Sequence, residues 1–276
     1  MKNDPGRSII TLTTDFGLAD TYVAEMKGVI LGPSPQATIV DVSHQVRPQR
    51  LLQAVFMTQA AWPFFPPDAI HIAVIDPGVG TERRAIALTT PAGRYLGPDN
   101  GVLSAALPDE ARPSVLTPVV LPAGYRAFAI TERRYLCEPV SATFHGRDLF
   151  APAAAHLSLG VAAEALGEPV EELLAFPPLR ARRCEDGVLQ GRVIHIDRFG
   201  NVVTDVRGED LPKGAFTVEI AGQRISGPVR TYAEASGLAA LVGGSGYLEV
   251  ALPNGSAAEL LGSDIGDPVV VLPDSQ

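Results

Sequence analysis

The order of apolar segments along the chain is the feature that most limits its fold. Through roughly the first two thirds, short β-branched runs alternate with segments of helical periodicity, as in strands joined by crossover helices. After residue 183 only short strand-like runs remain, separated by turn residues. The sequence therefore predicts an α/β protein with two domains. Residues 1–180 form an α/β domain around a central, mainly parallel sheet, and residues 187–276 form a smaller β-barrel-like domain.

Individual elements can be placed from the same patterns. Strands are predicted over residues 9–14, 38–42, 70–75, 188–197, 202–205, 216–220, 224–225, 247–252 and 269–272. Helices are predicted over residues 20–31, over residues 50–62, and from the residue after position 145 to position 160. Because ligands of open α/β sheets bind at the carboxyl ends of strands, polar residues that follow the predicted strands are the first candidates for a site.

Charge and cysteine content exclude several classes of function. The 276-residue chain has a formal net charge of −9, so it would repel a nucleic-acid backbone, and no basic stripe offsets this charge. Cys137 and Cys184 match no metal or redox spacing, and no two histidines share a helical turn, so no metal site is expected. Without a secretory signal or an apolar run of about 20 residues, the sequence predicts a cytoplasmic protein with neither a membrane nor a nucleic-acid partner.

A carboxylate on a glycine-rich turn follows the most apolar predicted strand. Asp76 opens the turn Asp-Pro-Gly-Val-Gly, which lacks the third glycine of a dinucleotide-binding loop. A lone Asp-Pro-Gly is more often a simple tight turn. Arg83, seven residues later, changes the balance, because an arginine that returns to the strand end would keep Asp76 ionised and could bind an oxygen nucleophile.

A second candidate precedes the third predicted helix. His145 lies between Phe144 and Gly146, where the glycine provides no side-chain cover and the helix start supplies free N–H groups. A lone histidine is more often structural, but this position favours an accessible and tunable imidazole. We expect the reaction centre to be built around Asp76, with His145 as its partner.

Two further motifs follow strands of the first domain. Asp15 and Asp20 flank the first strand-to-helix turn, where they suit a ribose diol and an ammonium group better than a helix cap alone. The segment 97–101, Gly-Pro-Asp-Asn-Gly, reads equally well as a turn or as a substrate wall, and the sequence leaves the two open.

Binding groups also recur in the second predicted domain. Asp197, Phe199 and Asn201 follow one another within five residues, and an aromatic ring beside a carboxamide is what a purine needs for stacking and for its polar edge. Ser245 lies in a glycine-rich segment and offers a hydroxyl and bare N–H groups to a carboxylate. It does not satisfy the Gly-x-Ser-x-Gly pattern of a hydrolase nucleophile, because Tyr247 occupies the last place.

Taken together, these motifs resemble those of the S-adenosylmethionine (SAM) hydroxide adenosyltransferases, which share a fold with fluorinase and chlorinase. The likeness covers nearly the whole chain, and it is carried by the ordered segments 13–17, 25–29, 76–84, 97–101, 143–148 and 196–201. The resemblance implies an N-terminal α/β domain, a C-terminal β-barrel-like domain, and a homotrimer with active sites at subunit interfaces. It also implies that SAM is the substrate and that no cofactor is required.

The resemblance assigns a role to each site residue. The hydrolytic triad falls on Asp76, Arg83 and His145, and Phe144 beside it is counted with the substrate-binding residues. The other assignments are Asp15 to the ribose hydroxyls, Asp20 and Asp197 to the methionine amino group, Phe199, Asn201 and Asn254 to adenine, and Ser245 to the methionine carboxylate. Gln49 departs from the pattern, because relatives usually place an aromatic residue there.

The expected reaction is attack of water or hydroxide at the ribose C5′ of SAM, which yields adenosine and L-methionine. A sulfonium is already a good leaving group, so the site needs an oriented nucleophile rather than an acid or a metal. Two alternatives remain from the sequence: a halide adenosyltransferase of the chlorinase type, and a SAM or adenosine sensor without turnover.

Overall fold

The computed structural model describes residues 8–274. The chain divides into two compact units, Met1–Pro178 and Leu179–Gln276, and each is presented separately. Both units have the predicted class of fold: the first combines helices with a sheet that contains parallel strands, and the second is a nearly closed antiparallel sheet. The predicted fold class is confirmed.

The first unit is built around a seven-stranded sheet with the order β2-β1-β3-β5-β4-β7-β8. Its strands are β1 (Ile9–Thr14), β2 (Thr38–Ser43), β3 (Ile70–Val74), β4 (Ala85–Thr90), β5 (Gly93–Pro98), β7 (Arg126–Ala129) and β8 (Pro169–Val170), while β6 (Thr117–Val120) pairs separately with β9 (Glu172–Ala175). The pairs β1–β2, β1–β3 and β3–β5 are parallel. The pairs β5–β4, β4–β7 and β7–β8 are antiparallel, so the sheet is mixed.

Helices cover both faces of this sheet because its central strands are apolar on both sides. The helices are α1 (Tyr22–Leu31), α2 (Leu51–Ala61) and α3 (Ala151–Ser158), and a π-helical turn, Gly146–Phe150, leads into α3. Short 3-10 turns cover Trp62–Phe64, Val102–Ala106, Asp109–Ala111, Arg133–Tyr135 and Ala163–Leu166. In β3, Ile70 and Ile72 belong to one core cluster with α1 and α3, and Ala73 belongs to a second cluster with α2. Burial on both faces is what near-continuous apolar strands require.

The two helix starts show how the local sequence sets the geometry. Thr21 takes the N-cap position of α1, but its hydroxyl donates 2.6 Å to Oε1 of Glu25 rather than capping a backbone N–H. The predicted helix after residue 145 begins as the π-helical turn, in which the N–H of Ala151 donates to the carbonyl of Gly146. Such turns recur at functional positions because they rotate side chains out of the regular helical register.

The second unit is an antiparallel sheet with the order β14-β13-β17-β11-β12-β16-β15, and β10 pairs with β11. Its strands are β10 (Arg182–Arg183), β11 (Leu189–Ile196), β12 (Val202–Arg207), β13 (Phe216–Ile220), β14 (Gln223–Gly227), β15 (Ala239–Val242), β16 (Tyr247–Ala251) and β17 (Pro268–Pro273), with one helix, α4 (Ala257–Leu261), and 3-10 turns at Gly208–Asp210 and Tyr232–Glu234. The N–H of Val229, just after β14, donates 3.0 Å to the carbonyl of Ala240 in β15. The two edge strands thus approach each other, and the sheet nearly closes.

Across residues 8–274, no helix is long and apolar enough to cross a membrane. The predicted cytoplasmic location stays a prediction.

Candidate active site

A cavity of about 540 Å³ opens in the first unit at the carboxyl ends of the parallel strands β1 and β3. Asp15 follows β1 and Asp76 follows β3, so adjacent parallel strands deliver both carboxylates to the same edge of the sheet. The segment before α3 supplies the opposite wall, through residues that include Phe144, His145 and Arg147. The cavity thus lies at the strand ends, where the sequence predicts a site.

Arg83 returns to the strand end and binds both oxygens of Asp76. Its Nε donates 2.9 Å to Oδ1, and its Nη2 donates to Oδ2, so the pair is bidentate. The Asp76 side chain is only 5% exposed and that of Arg83 only 10%, which protects the pair from screening by solvent. The guanidinium carbon lies 5.8 Å from the ring centre of Phe150. This geometry fixes the orientation of the Asp76 side chain.

The same guanidinium reaches the imidazole of His145. Nη2 of Arg83 lies 2.6 Å from Nδ1 of His145. Because a guanidinium has donors and no acceptor, Nδ1 accepts this hydrogen bond, so the neutral ring carries its proton on Nε2. Burial, and then the positive charge of Arg83, lower the pKa of His145 below its ordinary value of 6.5. Asp76, Arg83 and His145 therefore form a linked row with the arginine in the middle.

Asp15 lines the cavity beside this row. Its Oδ2 accepts a 2.8 Å hydrogen bond from the backbone N–H of Gln49, which has a φ of 64°. Burial raises the pKa of the Asp15 carboxyl, and the charge of Asp76 adds to the effect. A glutamine in the left-handed region is strained by roughly 1–2 kcal/mol, so the surrounding loop must hold Gln49 in place. Gln49 thus contributes a backbone donor as well as a cavity wall.

Three aromatic rings form an apolar wall. Phe16 lies 5.9 Å from Tyr22 and 5.8 Å from Phe144, and Tyr22 lies 5.1 Å from Phe144, all edge to face. Such pairs are favourable because the positive edge of one ring meets the negative face of the next. The wall gives the cavity an apolar side.

The turn after Asp76 needs glycine at one particular position. Gly80 has a φ of 78°, and a Cβ added there would lie 2.5 Å from the carbonyl oxygen of Ala142. No side chain fits so close to a backbone oxygen. Gly80 therefore lets the Asp76 turn pack against the segment that leads to His145.

The segment 97–101, which the sequence left open, serves the scaffold. Arg84 Nε donates 2.9 Å to Oδ2 of Asp99, and Oδ1 of Asp99 accepts the N–H of Leu174 at 2.8 Å. The side-chain amide of Asn100 donates 2.9 Å to the carbonyl of Ile75. These contacts tie β5 to its neighbours, and none of the segment's residues lines the cavity.

In the second unit, the loop between β11 and β12 is organised by Asp197. Oδ1 of Asp197 accepts the N–H groups of Phe199 and Asn201 at 2.8 and 2.9 Å, and Oδ2 accepts the side-chain amide of Asn201 at 2.9 Å. Asn201 is buried, whereas Phe199 is 77% exposed. The loop thus displays an aromatic ring at the surface on a rigid, internally bonded turn.

Ser245 and Asn254 are also exposed in the second unit. Ser245 belongs to the turn between β15 and β16, and Asn254 has a φ of 59° in the turn after β16.

Sequence reasoning missed Glu249 of β16. This residue is buried and accepts a 3.0 Å hydrogen bond from the Tyr232 hydroxyl, and burial raises its pKa. An acidic residue at an inward position of a strand was the available signal.

The chain matches two family models, SAM hydroxide adenosyltransferase N-terminal domain over residues 10–167 and SAM hydroxide adenosyltransferase C-terminal domain over residues 191–270. The chain belongs to the SAM hydroxide adenosyltransferase family. The predicted resemblance is confirmed.

The chain is similar to two proteins of known name and to one solved structure. It is 43% identical to an (R)-S-adenosyl-L-methionine hydrolase of Thermus thermophilus, over 94% of this chain and 97% of that protein. It is 28% identical to a fluorinase of an Actinoplanes species, over 76% of each chain. A solved structure of an uncharacterized conserved protein from Thermotoga maritima is 30% identical and superposes with a TM-score of 0.81, over 96% of this chain and 100% of that one.

Of the residues that were selected from the sequence, five come together in the first unit. Asp15, Asp76, Phe144 and His145 line the cavity, and Arg83 joins Asp76 to His145 from behind. Asp20, the remaining selected residue of this unit, neither lines the cavity nor contacts the row, and it is exposed just before α1. Among the described residues, no group of three or more His, Cys, Asp or Glu side chains could hold a metal ion.

Proposed function

We propose that the chain hydrolyses (R)-SAM to adenosine and L-methionine. The observation that carries this proposal is the linked row of Asp76, Arg83 and His145 at a cavity of about 540 Å³. The similar protein of Thermus thermophilus bears the name of this activity, and 43% identity over nearly the whole chain supports the same reaction here. The R designation specifies the configuration at the sulfonium sulfur.

The charges around the cavity suit a sulfonium cation. Asp15 and Asp76 both line the cavity, whereas the Arg83 charge is matched by Asp76 and the His145 ring is neutral. The net charge of the linked row together with Asp15 is therefore negative. A cationic substrate is favoured over a halide ion. A halide that approached Asp76 would be repelled by the carboxylate and would lose its hydration shell.

The reaction needs one bond to form and one to break. Water oxygen attacks C5′ of the ribose, the C5′–S bond breaks in line with the attack, and its electron pair neutralises the sulfonium as the methionine thioether. The water proton is left over, and a group in the site must accept it. The aromatic wall of Phe16, Tyr22 and Phe144 supports this step by limiting access of bulk water to the reacting carbon.

The hydrogen bonds favour Asp76 as the proton acceptor and His145 as the group that orients the water. Nδ1 of His145 is engaged by Arg83, so its Nε2–H can only donate to the water oxygen. Each Asp76 oxygen accepts from Arg83 and keeps a second lone pair. A carboxylate is a sufficient base when the leaving group is a sulfonium.

The second unit's residues keep the substrate-binding roles that the resemblance implies. Asp197 holds the methionine amino group, Phe199 and Asn201 contact adenine, and Ser245 and Asn254 complete the contacts. The exposed ring of Phe199 on its rigid turn supports this part of the proposal. Phe199→Ala and Asn201→Ala are expected to raise KM more than they lower kcat, because they remove ground-state binding.

A homotrimer with active sites at subunit interfaces is also part of the proposal. Its support is the family resemblance, and light scattering of the purified protein tests it. A particle with three times the 29.1 kDa chain mass is expected, and a monomer that retains full turnover would contradict the trimer.

A product assay tests the function. The protein is incubated with resolved R and S epimers of SAM, with and without chloride or fluoride, and adenosine, L-methionine and any 5′-halogenated adenosine are quantified. Equal amounts of adenosine and methionine from the R epimer, independent of halide, are expected. A halogenated product would indicate a halide adenosyltransferase, and tight SAM binding without product would indicate a sensor. Either outcome would contradict the proposal.

A further inference from the structure

Arg147, which sequence reasoning did not select, makes four contacts at the cavity wall. Its Nε and Nη2 donate to the two oxygens of Asp148 at 2.7 and 3.1 Å, and its Nη1 donates 2.8 Å to Oε2 of Glu25 in α1. The guanidinium carbon also lies 4.9 Å from the centre of the Phe144 ring. One side chain thus joins α1 to the segment that carries His145.

Asp148 anchors the other end of this arrangement. Its side chain is only 2% exposed, and besides Arg147 it accepts a 2.8 Å hydrogen bond from the N–H of Ser141. Its own backbone N–H donates 3.1 Å to the carbonyl of Phe144. The segment 141–148 is therefore closed on itself through Asp148.

His145 lies between Phe144, which this arrangement holds in place, and Gly146, which is held by close packing. Phe144 is packed against Tyr22 and under the Arg147 guanidinium. Gly146 lies so close to Phe16 and Met26 that an added Cβ would be 3.1 Å from the ring and 3.2 Å from the sulfur. If the Arg147 side chain moved, Phe144 would be the first neighbour of His145 to lose its support.

We infer that Arg147 is a positioning residue that holds the 141–148 segment so that Nδ1 of His145 meets Arg83. Its role in turnover rests on the proposed function. The planar guanidinium is needed because one group must bind two carboxylates and cover an aromatic face, and a lysine ammonium has neither the fork nor the plane. The two carboxylates, Glu25 and Asp148, also offset the positive charge of Arg147, so its presence does not repel a cationic substrate.

Arg147→Lys is the central variant, with Arg134→Lys as the matched control. Arg134 also covers an aromatic ring, Tyr135 at 4.9 Å, and pairs with Glu132 at 3.7 Å, but it does not line the cavity. Arg147→Lys is expected to lower kcat by about 10- to 100-fold, with KM changed by less than about threefold, because a small displacement of a reacting group slows the chemical step. Arg134→Lys is expected to leave both constants unchanged.

The pH profile separates positioning from a merely structural role. Once His145 is less firmly held against Arg83, the acid limb of kcat in Arg147→Lys is expected to move up towards pH 6.5, the ordinary value for histidine. Asp148→Asn is expected to reproduce this shift, and the double variant is expected to lose little more than either single variant. Wild-type kcat and pH profile in Arg147→Lys would overturn the inference. So would a loss of activity that only follows the folded fraction.

A turnover-independent readout keeps this test apart from the proposed function. Nitrogen-15 shifts of the His145 ring report which nitrogen carries the proton. The wild-type ring is expected to be a single species protonated on Nε2, and Arg147→Lys is expected to show mixed tautomers. Absence of turnover by the wild-type protein would defeat the proposed function alone. An unchanged His145 spectrum in Arg147→Lys would defeat the inference alone.

Discussion

Arg83 donates a 2.6 Å hydrogen bond from Nη2 to Nδ1 of His145, which fixes the imidazole as a neutral ring with its proton on Nε2. The sequence alone left the proton's place open. The direction of this one bond divides the roles, because His145 can then only donate to a bound water and Asp76 is left as the acceptor.

Asp76→Asn tests that acceptor role. The asparagine keeps the shape of the side chain but removes the charge and presents an amide to Arg83, so kcat is expected to fall by about 10²- to 10³-fold, the usual size for a removed catalytic group. Substrate Kd from calorimetry is expected to change far less. Asp99→Asn is the control, since Asp99 also accepts two hydrogen bonds from one arginine, from Nε and Nη2 of Arg84 to its Oδ2, but lies outside the cavity lining. Equal turnover in both variants would remove Asp76 from the mechanism.

The neutral state of His145 predicts the pH dependence of turnover. Burial and Arg83 lower the pKa of His145 below 6.5, so activity is expected to stay level as the pH falls through that value and to decline only at lower pH. Protonation would put a proton on Nδ1, which then could not accept from Arg83. The same shift means that neutral His145 stabilises the fold above pH 6.5 and that this contribution is lost as the pH falls. A kcat profile from about pH 8 to pH 5 checks the predicted pH dependence of turnover. A midpoint of the acid limb at or above pH 6.5 would contradict it.

His71 is expected to control acid stability without affecting the site. It lies in β3, stacked 5.0 Å from Tyr95 and bonded 2.8 Å to the Thr11 hydroxyl, and burial lowers its pKa from 6.5 to about 4. Its neutral form stabilises the fold fully above pH 6.5, and on the order of 3 kcal/mol of that stability is lost as the pH falls towards 4.

His71→Phe keeps a flat ring in the stack and removes the titration. Its free energy of unfolding is expected to be lower at neutral pH, because the Thr11 hydroxyl loses its partner, but to change less with pH than that of the wild-type protein. Urea unfolding at several pH values measures both effects. A wild-type slope in His71→Phe would show that another group governs acid stability.

Gly80→Ala and Gly17→Ala test the close approach of the Asp76 turn to Ala142, because only Gly80→Ala creates a clash with the backbone. Both glycines have positive φ, 78° and 69°, so each substitution should cost about 1 kcal/mol through left-handed strain. At Gly17 the added Cβ meets nothing within 4 Å, whereas at Gly80 it would lie 2.5 Å from the carbonyl oxygen of Ala142. Gly80→Ala is therefore expected to lower the Tm distinctly further and to reduce turnover by moving the Asp76 turn. Equal Tm values would contradict the close approach.

The pairing of Asp76 with Arg83 could be foreseen because both residues lie within one short turn after an apolar strand. The role of Arg147 could not, since it depends on the segment 141–148 returning to α1, a contact between residues that are far apart in the sequence. No strand is predicted from the sequence at β5, Gly93–Pro98, because its glycines and proline are typical of loops. That strand exists because β3 and β4 pair with it on both sides, and such tertiary pairing overrides local preference.

Turnover of (R)-SAM in ¹⁸O-labelled water tests the central claim most directly. If water held by Asp76 and His145 attacks C5′, one labelled oxygen appears in the 5′-hydroxyl of adenosine, L-methionine is released in equal amount, and Asp76→Asn slows both together. Adenosine without label, a 5′-halogenated adenosine in the presence of chloride, or cleavage at a different carbon of the sulfonium would contradict it.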